Sequence, residues 1–222
     1  MSFKLTIGLS KRRKLPVFYV LSWSIAPYKV DKLLEVLWEF RDFKEIESNE
    51  EYTVLWYKGN FLKILNDSFY LPTMLNEWRI WKKYYIPPFS IKGKTVLDVG
   101  AGCGETAFLF FLYGAKKVIA VEPNKKAVKC LEENAERNNW NVEIIPEKFS
   151  IKHLELDFDF MKMDIEGDEK LLLNSPKIKK PSIVEVHGVG LLEKFLKTGW
   201  FRIYSSSKDN HLCTNFKWKL KE

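Results

Sequence analysis

Residues 96–105 read Val96-Leu97-Asp98-Val99-Gly100-Ala101-Gly102-Cys103-Gly104-Glu105. An apolar, β-forming run leads into a turn with three glycines, and Glu105 to Tyr113 continues as a helix. Glycine permits positive φ and lets a ligand come close to the backbone, so the turn is shaped to receive something at the carboxyl end of a strand.

Outward from that turn the same alternation repeats. Strands are expected at Thr95 to Val99, Val118 to Val121, Val142 to Ile145, Phe158 to Met163 and Ile183 to Val186. Helices are expected at Glu105 to Tyr113, Lys125 to Asn138, Asp168 to Asn174 and Leu191 to Lys197. Successive βαβ units imply a doubly wound, mainly parallel sheet. Phe201 to Ser205 and Leu212 to Trp218, around Lys208-Asp209-Asn210, add an antiparallel hairpin at the C-terminus, which makes seven strands in an α/β fold.

Residues 1–92 have a different texture, rich in Trp and Tyr and poor in glycine, and read as an α+β N-terminal extension that could recognise an acceptor or cap the site. Asp31 is placed to cap a helix through Phe43. Thr53 to Leu65 reads as a hairpin around Lys58-Gly59-Asn60, and Thr73 to Tyr85 as a helix ended by Pro87-Pro88, with its aromatics serving packing. Residues 93–222 form the ligand-binding domain.

The 222 residues carry a formal net charge of +7, which favours an anionic partner, although the lysines are dispersed over expected helices and the last residues. No run of eighteen or more apolar residues occurs. Basic residues Lys11 to Lys14 precede an apolar stretch that Pro16, Tyr19, Ser22, Trp23 and Ser24 interrupt, which argues against a signal peptide. The three cysteines, Cys103, Cys130 and Cys213, cannot all pair and have no metal-ligand spacing, so the expected compartment is the cytoplasm.

The ligand follows from charge. A dinucleotide fingerprint requires a third glycine where Glu105 stands, and Asp98 and Glu105 would repel a pyrophosphate at the helix N-terminus. An NAD-dependent oxidoreductase is therefore the last of the readings. S-adenosylmethionine has no phosphate and carries a sulfonium and an ammonium, which nearby carboxylates suit. Glu122, in Val118-Ile119-Ala120-Val121-Glu122-Pro123-Asn124, closes the second strand, where an acid can accept both ribose hydroxyls.

With these segments the sequence resembles the class I, Rossmann-like methyltransferases, Asp98 to Gly104 matching their first motif and Glu122 their second. The resemblance implies that Gly100, Ala101, Gly102 and Gly104 approach the methionine portion and that Glu122, with Pro123 and Asn124, holds the ribose. Met161-Lys162-Met163-Asp164-Ile165-Glu166-Gly167-Asp168-Glu169 resembles the Lys-x-Asp-Ile-Glu-Gly-x-Glu signature of FkbM-type methyltransferases, and Val184-Glu185-Val186-His187 their next strand end. That likeness implies O-methylation of a hydroxyl on a small molecule, sugar or lipid-linked glycan. Lys148 stands where many relatives place an acid against the adenine amino group, so backbone groups of Lys148 or Phe149 and the Phe149 ring are expected there instead.

A hydroxyl acceptor needs a base. Asp164 and His187 end the fourth and fifth strands and should face the methyl group, His187 as base and Asp164 positioning the acceptor or the cofactor amine. Glu166 and Glu169 could form an acidic cluster with Asp164 that suits a divalent metal through oxygen ligands, but Asp168 and Glu169 read better as helix-start acids complementing the macrodipole, and no metal is assigned. Two other functions stay open, a tRNA or rRNA methyltransferase using the basic surface and a non-catalytic binding protein. Against the first, the chain lacks the Asn-Pro-Pro-Tyr type of motif.

Overall fold

The computed structural model describes residues 43–67, 70–174, 178–207 and 209–217. The helix expected from Asp31, the basic N-terminal stretch, Lys208 in the last turn and Trp218 lie outside the described residues. Two compact units divide between Glu77 and Trp78.

In the first unit β1 (Lys44–Ser48), β2 (Tyr52–Tyr57) and β3 (Asn60–Leu65) form an antiparallel sheet in that order. The expected hairpin forms, with Lys58 and Gly59 both at positive φ, as a tight two-residue turn requires. β1 was not expected from the sequence, because Lys44-Glu45-Ile46-Glu47-Ser48 is mostly exposed and has no apolar alternation. Leu55, Tyr57, Leu62 and Ile64 bury the other face, and Phe43 stacks on Tyr57 at 4.5 Å.

Helix α1 (Tyr70–Tyr84) begins three residues before the expected Thr73, with the Asp67 carboxylate accepting a hydrogen bond from the Tyr70 amide. In the second unit, its Trp78 ring lies 5.7 Å from Phe108 and Trp81 stacks on Tyr85.

The second unit holds β4 (Thr95–Val99), α2 (Glu105–Leu112), β5 (Lys117–Val121), α3 (Lys125–Asn138), β6 (Val142–Ile145), β7 (Phe160–Met163), β8 (Ser182–His187), α4 (Val189–Lys197), β9 (Phe201–Ser205) and β10 (Asn210–Thr214). The seven strands lie in the order β6-β5-β4-β7-β8-β10-β9. The first five are parallel, and β10 runs antiparallel between β8 and β9. Order reverses beside β4, so the crevice at the switch point opens over the carboxyl ends of β4, β5 and β7. Register makes those ends level, with Val99 opposite Val121 on one side and Met163 on the other.

Central strands buried on both faces read as continuous apolar runs, as Leu97, Val99, Ile119, Val121, Met161, Met163, Val184 and Val186 do. Two connections wind as 3-10 helices, Ile151–Glu155 and Asp168–Asn174. The latter was expected as an α-helix and instead winds in the tighter form, over a seven-residue run that is long for it. β10 also stops at Thr214, short of Trp218. The reason is Asn215, whose amide group binds Ser182, Ile178 and Lys180 backbone and turns the chain off the sheet. Among the described residues no helix is long and apolar enough to cross a membrane.

Candidate active site

The glycine turn is fixed by backbone geometry. Gly100, Gly102 and Gly104 all have positive φ, and Gly100 N–H donates to the Val121 carbonyl at 2.9 Å. A Cβ on Gly100 would lie 1.9 Å from the Asp164 carbonyl oxygen, so only glycine lets the ends of β4 and β7 approach this closely. Glu122 is buried, and its two carboxylate oxygens accept from Gly102 N–H at 2.9 Å and Asn124 N–H at 2.8 Å. Each oxygen keeps a lone pair for a ribose hydroxyl. Asn124 spends its side chain capping α3, accepting from Lys126 and Ala127 amides, Pro123 is exposed, and Ala101 is buried. Lys148 is exposed, while Phe149 is buried in the core with its ring tilted on His153.

Beneath the turn, Asp98 accepts from the Thr106 hydroxyl at 2.6 Å and pairs with Lys162 Nζ at 3.3 Å. Lys162 is itself buried and donates to the Gly100 carbonyl at 2.8 Å. Burial raises the Asp98 pKa, with Lys162 and Thr106 opposing. For Lys162 burial acts to lower the pKa, but the charges of Asp98, Asp164 and Glu185 leave it raised, so the ammonium stays charged. Glu105, the first residue of α2, is pushed up to about 8 by burial, against its own backbone N–H and Lys162. At neutral pH it is a neutral acid. The repulsion of phosphate expected from it is therefore lost, whereas its bulk at the third-glycine position remains.

At the other end of the crevice Asp164 follows β7 and His187 ends β8, and the two come together. His187 Nε2 lies 4.0 Å from Asp164 Oδ1 and 3.5 Å from Glu166 Oε2. His187 Nδ1 meets Glu169 Oε1 at 2.8 Å. That same oxygen accepts from Gly167 N–H at 3.0 Å and Ile165 N–H at 3.4 Å. Burial acts to lower the His187 pKa, but the Glu169 hydrogen bond and the charges of Asp164, Glu169 and Glu166 carry it up to about 9. The resting imidazole is thus protonated at neutral pH and is not a free base. Burial and then Asp164 raise Glu166, which sits at positive φ. Atoms of Asp164, Glu166 and His187 lie within 4.8 Å of one another, close enough to share a cation, but any cation would have to displace the imidazole proton.

Sequence reasoning missed three participants. Glu169, read as a helix-start acid, is fully buried on His187, and its signal was its place in the signature stretch. Glu185, two residues before His187, is buried at the same end. Tyr85, read as packing, donates its hydroxyl to Glu185 Oε2 at 2.7 Å and lies 3.2 Å from Asp164 Oδ2. It stands 79 residues from Asp164 in the chain, and no local pattern announces it. The other histidines belong elsewhere, His153 on Glu147 and Ser150 and His211 on Ser205. Cys103, Cys130 and Cys213 are buried.

A family model described as ribosomal protein L11 methyltransferase (PrmA) matches residues 81–163. The ribosomal protein L11 methyltransferase of Aquifex aeolicus is 27% identical over 225 residues, covering 91% of this chain and 89% of that protein. The chain spans under half the length of two other proteins of that description. Uncharacterized protein 158B of Sulfolobus islandicus rod-shaped virus 1 is 31% identical over 107 residues, covering 48% of this chain and 67% of that one. Among solved structures, Methanocaldococcus jannaschii Trm5 in complex with adenosine aligns at 18% identity with a TM-score of 0.52, over 86% of this chain and 68% of that one. At that identity the likeness is one of fold.

Proposed function

We propose that this S-adenosylmethionine-dependent methyltransferase, a chain that belongs to one family with viral protein 158B, modifies an amino group on a protein of the translation machinery. One observation carries the choice of acceptor. The reacting end is ringed by the carboxylates of Asp164, Glu166 and Glu169, with Glu185 behind them, against the imidazolium of His187 and the buried ammonium of Lys162, which Asp98 already pairs. Such a mouth attracts an ammonium and repels a phosphodiester. Support also comes from the Aquifex protein, matched over most of both chains, whose name specifies a ribosomal protein.

The residues present suit the cofactor, since the turn is open to backbone approach at three glycines and Glu122 offers a buried carboxylate beside it. S-adenosylmethionine supplies an electrophilic methyl on a sulfonium that departs as a thioether. The chain's own residues do the rest. Gly100 and Gly102 seat the methionine portion, Glu122 takes the ribose hydroxyls, and Lys148 and Phe149 border the base. Asp164 takes, and passes to solvent, the proton that the bound ammonium must lose to expose the nitrogen lone pair that attacks the methyl group, and His187 holds Asp164 and Glu166 in place by ion pairing. Residues 1–92 contribute acceptor recognition in this reading, and a ribosomal acceptor places the enzyme in the cytoplasm.

A second reading, O-methylation of a sugar or lipid-linked hydroxyl by an FkbM-type enzyme, has its own observation. The polar residues of the signature stretch and its following strand, Lys162, Asp164, Glu166, Glu169, Glu185 and His187, all gather at this one end. A neutral hydroxyl, however, needs a stronger base than a protonated His187.

Incubation with methyl-labelled cofactor and separate ribosomal-protein, RNA and glycan-lipid fractions tests the choice. Label in the protein fraction, stable to mild base as methylamine is, is the expected result. Label in RNA or in glycan overturns the protein acceptor in favour of those readings, and cofactor binding without transfer to any fraction overturns catalysis.

A further inference from the structure

We propose that Tyr85 is a positioning residue of the reacting end, whose hydroxyl ties Glu185 to Asp164 and thereby aims Asp164 at the acceptor. The proposal rests on the reading that Asp164 receives the acceptor's proton.

Tyr85 directly follows α1 and is held from three directions. Its N–H donates to the Trp81 carbonyl at 2.8 Å, its ring stacks on Trp81 with centroids 6.1 Å apart, and Lys162 Nζ lies 5.5 Å from the ring centre. The side chain has no exposure to solvent, so its hydroxyl must be satisfied internally. Both partners are carboxylates, Glu185 Oε2 at 2.7 Å and Asp164 Oδ2 at 3.2 Å. One proton serves two acceptors, the shorter bond taking it most of the time.

The consequence falls on Asp164. Its two oxygens are divided, Oδ2 toward Tyr85 and Oδ1 toward His187 Nε2 at 4.0 Å. The charged groups around it include Asp98, Lys162, Glu166 and His187, with Glu185 across the Tyr85 hydroxyl. Lys162, buried beneath the turn, draws the carboxylate inward, whereas the phenol holds Oδ2 and leaves Oδ1 turned outward. A phenylalanine would fill the same space and lose that hold.

Tyr85→Phe removes one oxygen and tests the role, with Tyr84→Phe as control because Tyr84 stacks on Tyr204 at 4.6 Å. For Tyr85→Phe the expected result is cofactor affinity within about twofold of the parent and a kcat lower by about tenfold, in the range for loss of one positioned hydrogen bond. The loss should fall on kcat rather than on the acceptor KM, which should hold within about twofold, because Tyr85 orients Asp164 and does not itself touch the acceptor. A lower melting temperature with kcat unchanged would overturn the proposal and leave Tyr85 a packing residue. A readout independent of methyl transfer comes from NMR titration of the three histidines in the cofactor-free protein. The His187 curve should shift in Tyr85→Phe while His153 and His211 hold, and an unmoved His187 would overturn the positioning role even if no acceptor is found. Should Tyr85→Phe fail to fold, Glu185→Gln frees the phenol proton for Asp164 and should also shift the His187 curve, and an unmoved His187 counts against the proposal.

Discussion

In the proposed function, the groups at the cofactor end are the backbone of one short turn, Gly100 to Gly104, and one carboxylate, Glu122, that accepts from Gly102 N–H. At the reacting end they are side chains drawn from four places, Tyr85, Asp164 to Glu169, Glu185 and His187. The first end is made of conformation and the second of charge. A backbone-built site tolerates little change of shape and is indifferent to pH, whereas a cluster of carboxylates around one imidazolium keeps its shape and changes state with pH.

The sharpest way to break this contrast is at the point where the two ends touch. Gly100→Ala puts a Cβ 1.9 Å from the Asp164 carbonyl oxygen at a residue with φ of +75°, so both ends must move. Loss of cofactor binding by about a hundredfold or more, or loss of the fold, is expected by calorimetry and circular dichroism. Glu122→Ala removes the side chain from the cofactor end alone. Affinity for S-adenosylmethionine should fall by about tenfold to a hundredfold, as for loss of charged hydrogen bonds, with the His187 titration unaltered.

Glu169→Gln acts on the reacting end alone. His187 titrates near 9 when folded, above its ordinary value of 6.5, so its stabilisation is complete below about pH 6.5 and is lost as pH rises through 9. The variant should lower the His187 titration and be less stable than the parent at pH 6, with the difference shrinking by pH 9.5, as thermal melts at both values can show. Cofactor affinity should hold within about threefold.

Glu105→Gln is the smallest change and the exception to the contrast, since it places a titrating group in the backbone-built end. The parent carboxyl is raised to about 8 by burial, so folding favours its proton, an advantage present below its ordinary value of 4.5 and lost as pH rises through 8. Gln, which never ionises, should leave the melting temperature at pH 4.5 nearly unchanged and raise it by about 3 °C or more at pH 8.5.

The same contrast explains what the sequence made legible. Strand ends, glycines and Glu122 are local: β4 and β6 fall on their expected residues, and the turn declares itself in ten consecutive positions. Asp164 and His187 were visible because a parallel sheet brings the carboxyl ends of its strands to one edge. Glu169 was misread because its helix-start position has a sufficient electrostatic explanation, and only the fold reveals His187 against it. The charge on His187 was invisible for the same reason, since it depends on three acids that converge only in space. Tyr85 could not be found from spacing at all, being one aromatic among many in a stretch whose others do pack.

The most direct test of the account is a crystal structure with S-adenosylhomocysteine bound. It should show both ribose hydroxyls on Glu122, the homocysteine along Gly100 to Gly102, and the sulfur facing the space between Asp164 and His187. Adenosine bound away from Glu122, or a sulfur turned from that pair, would contradict it.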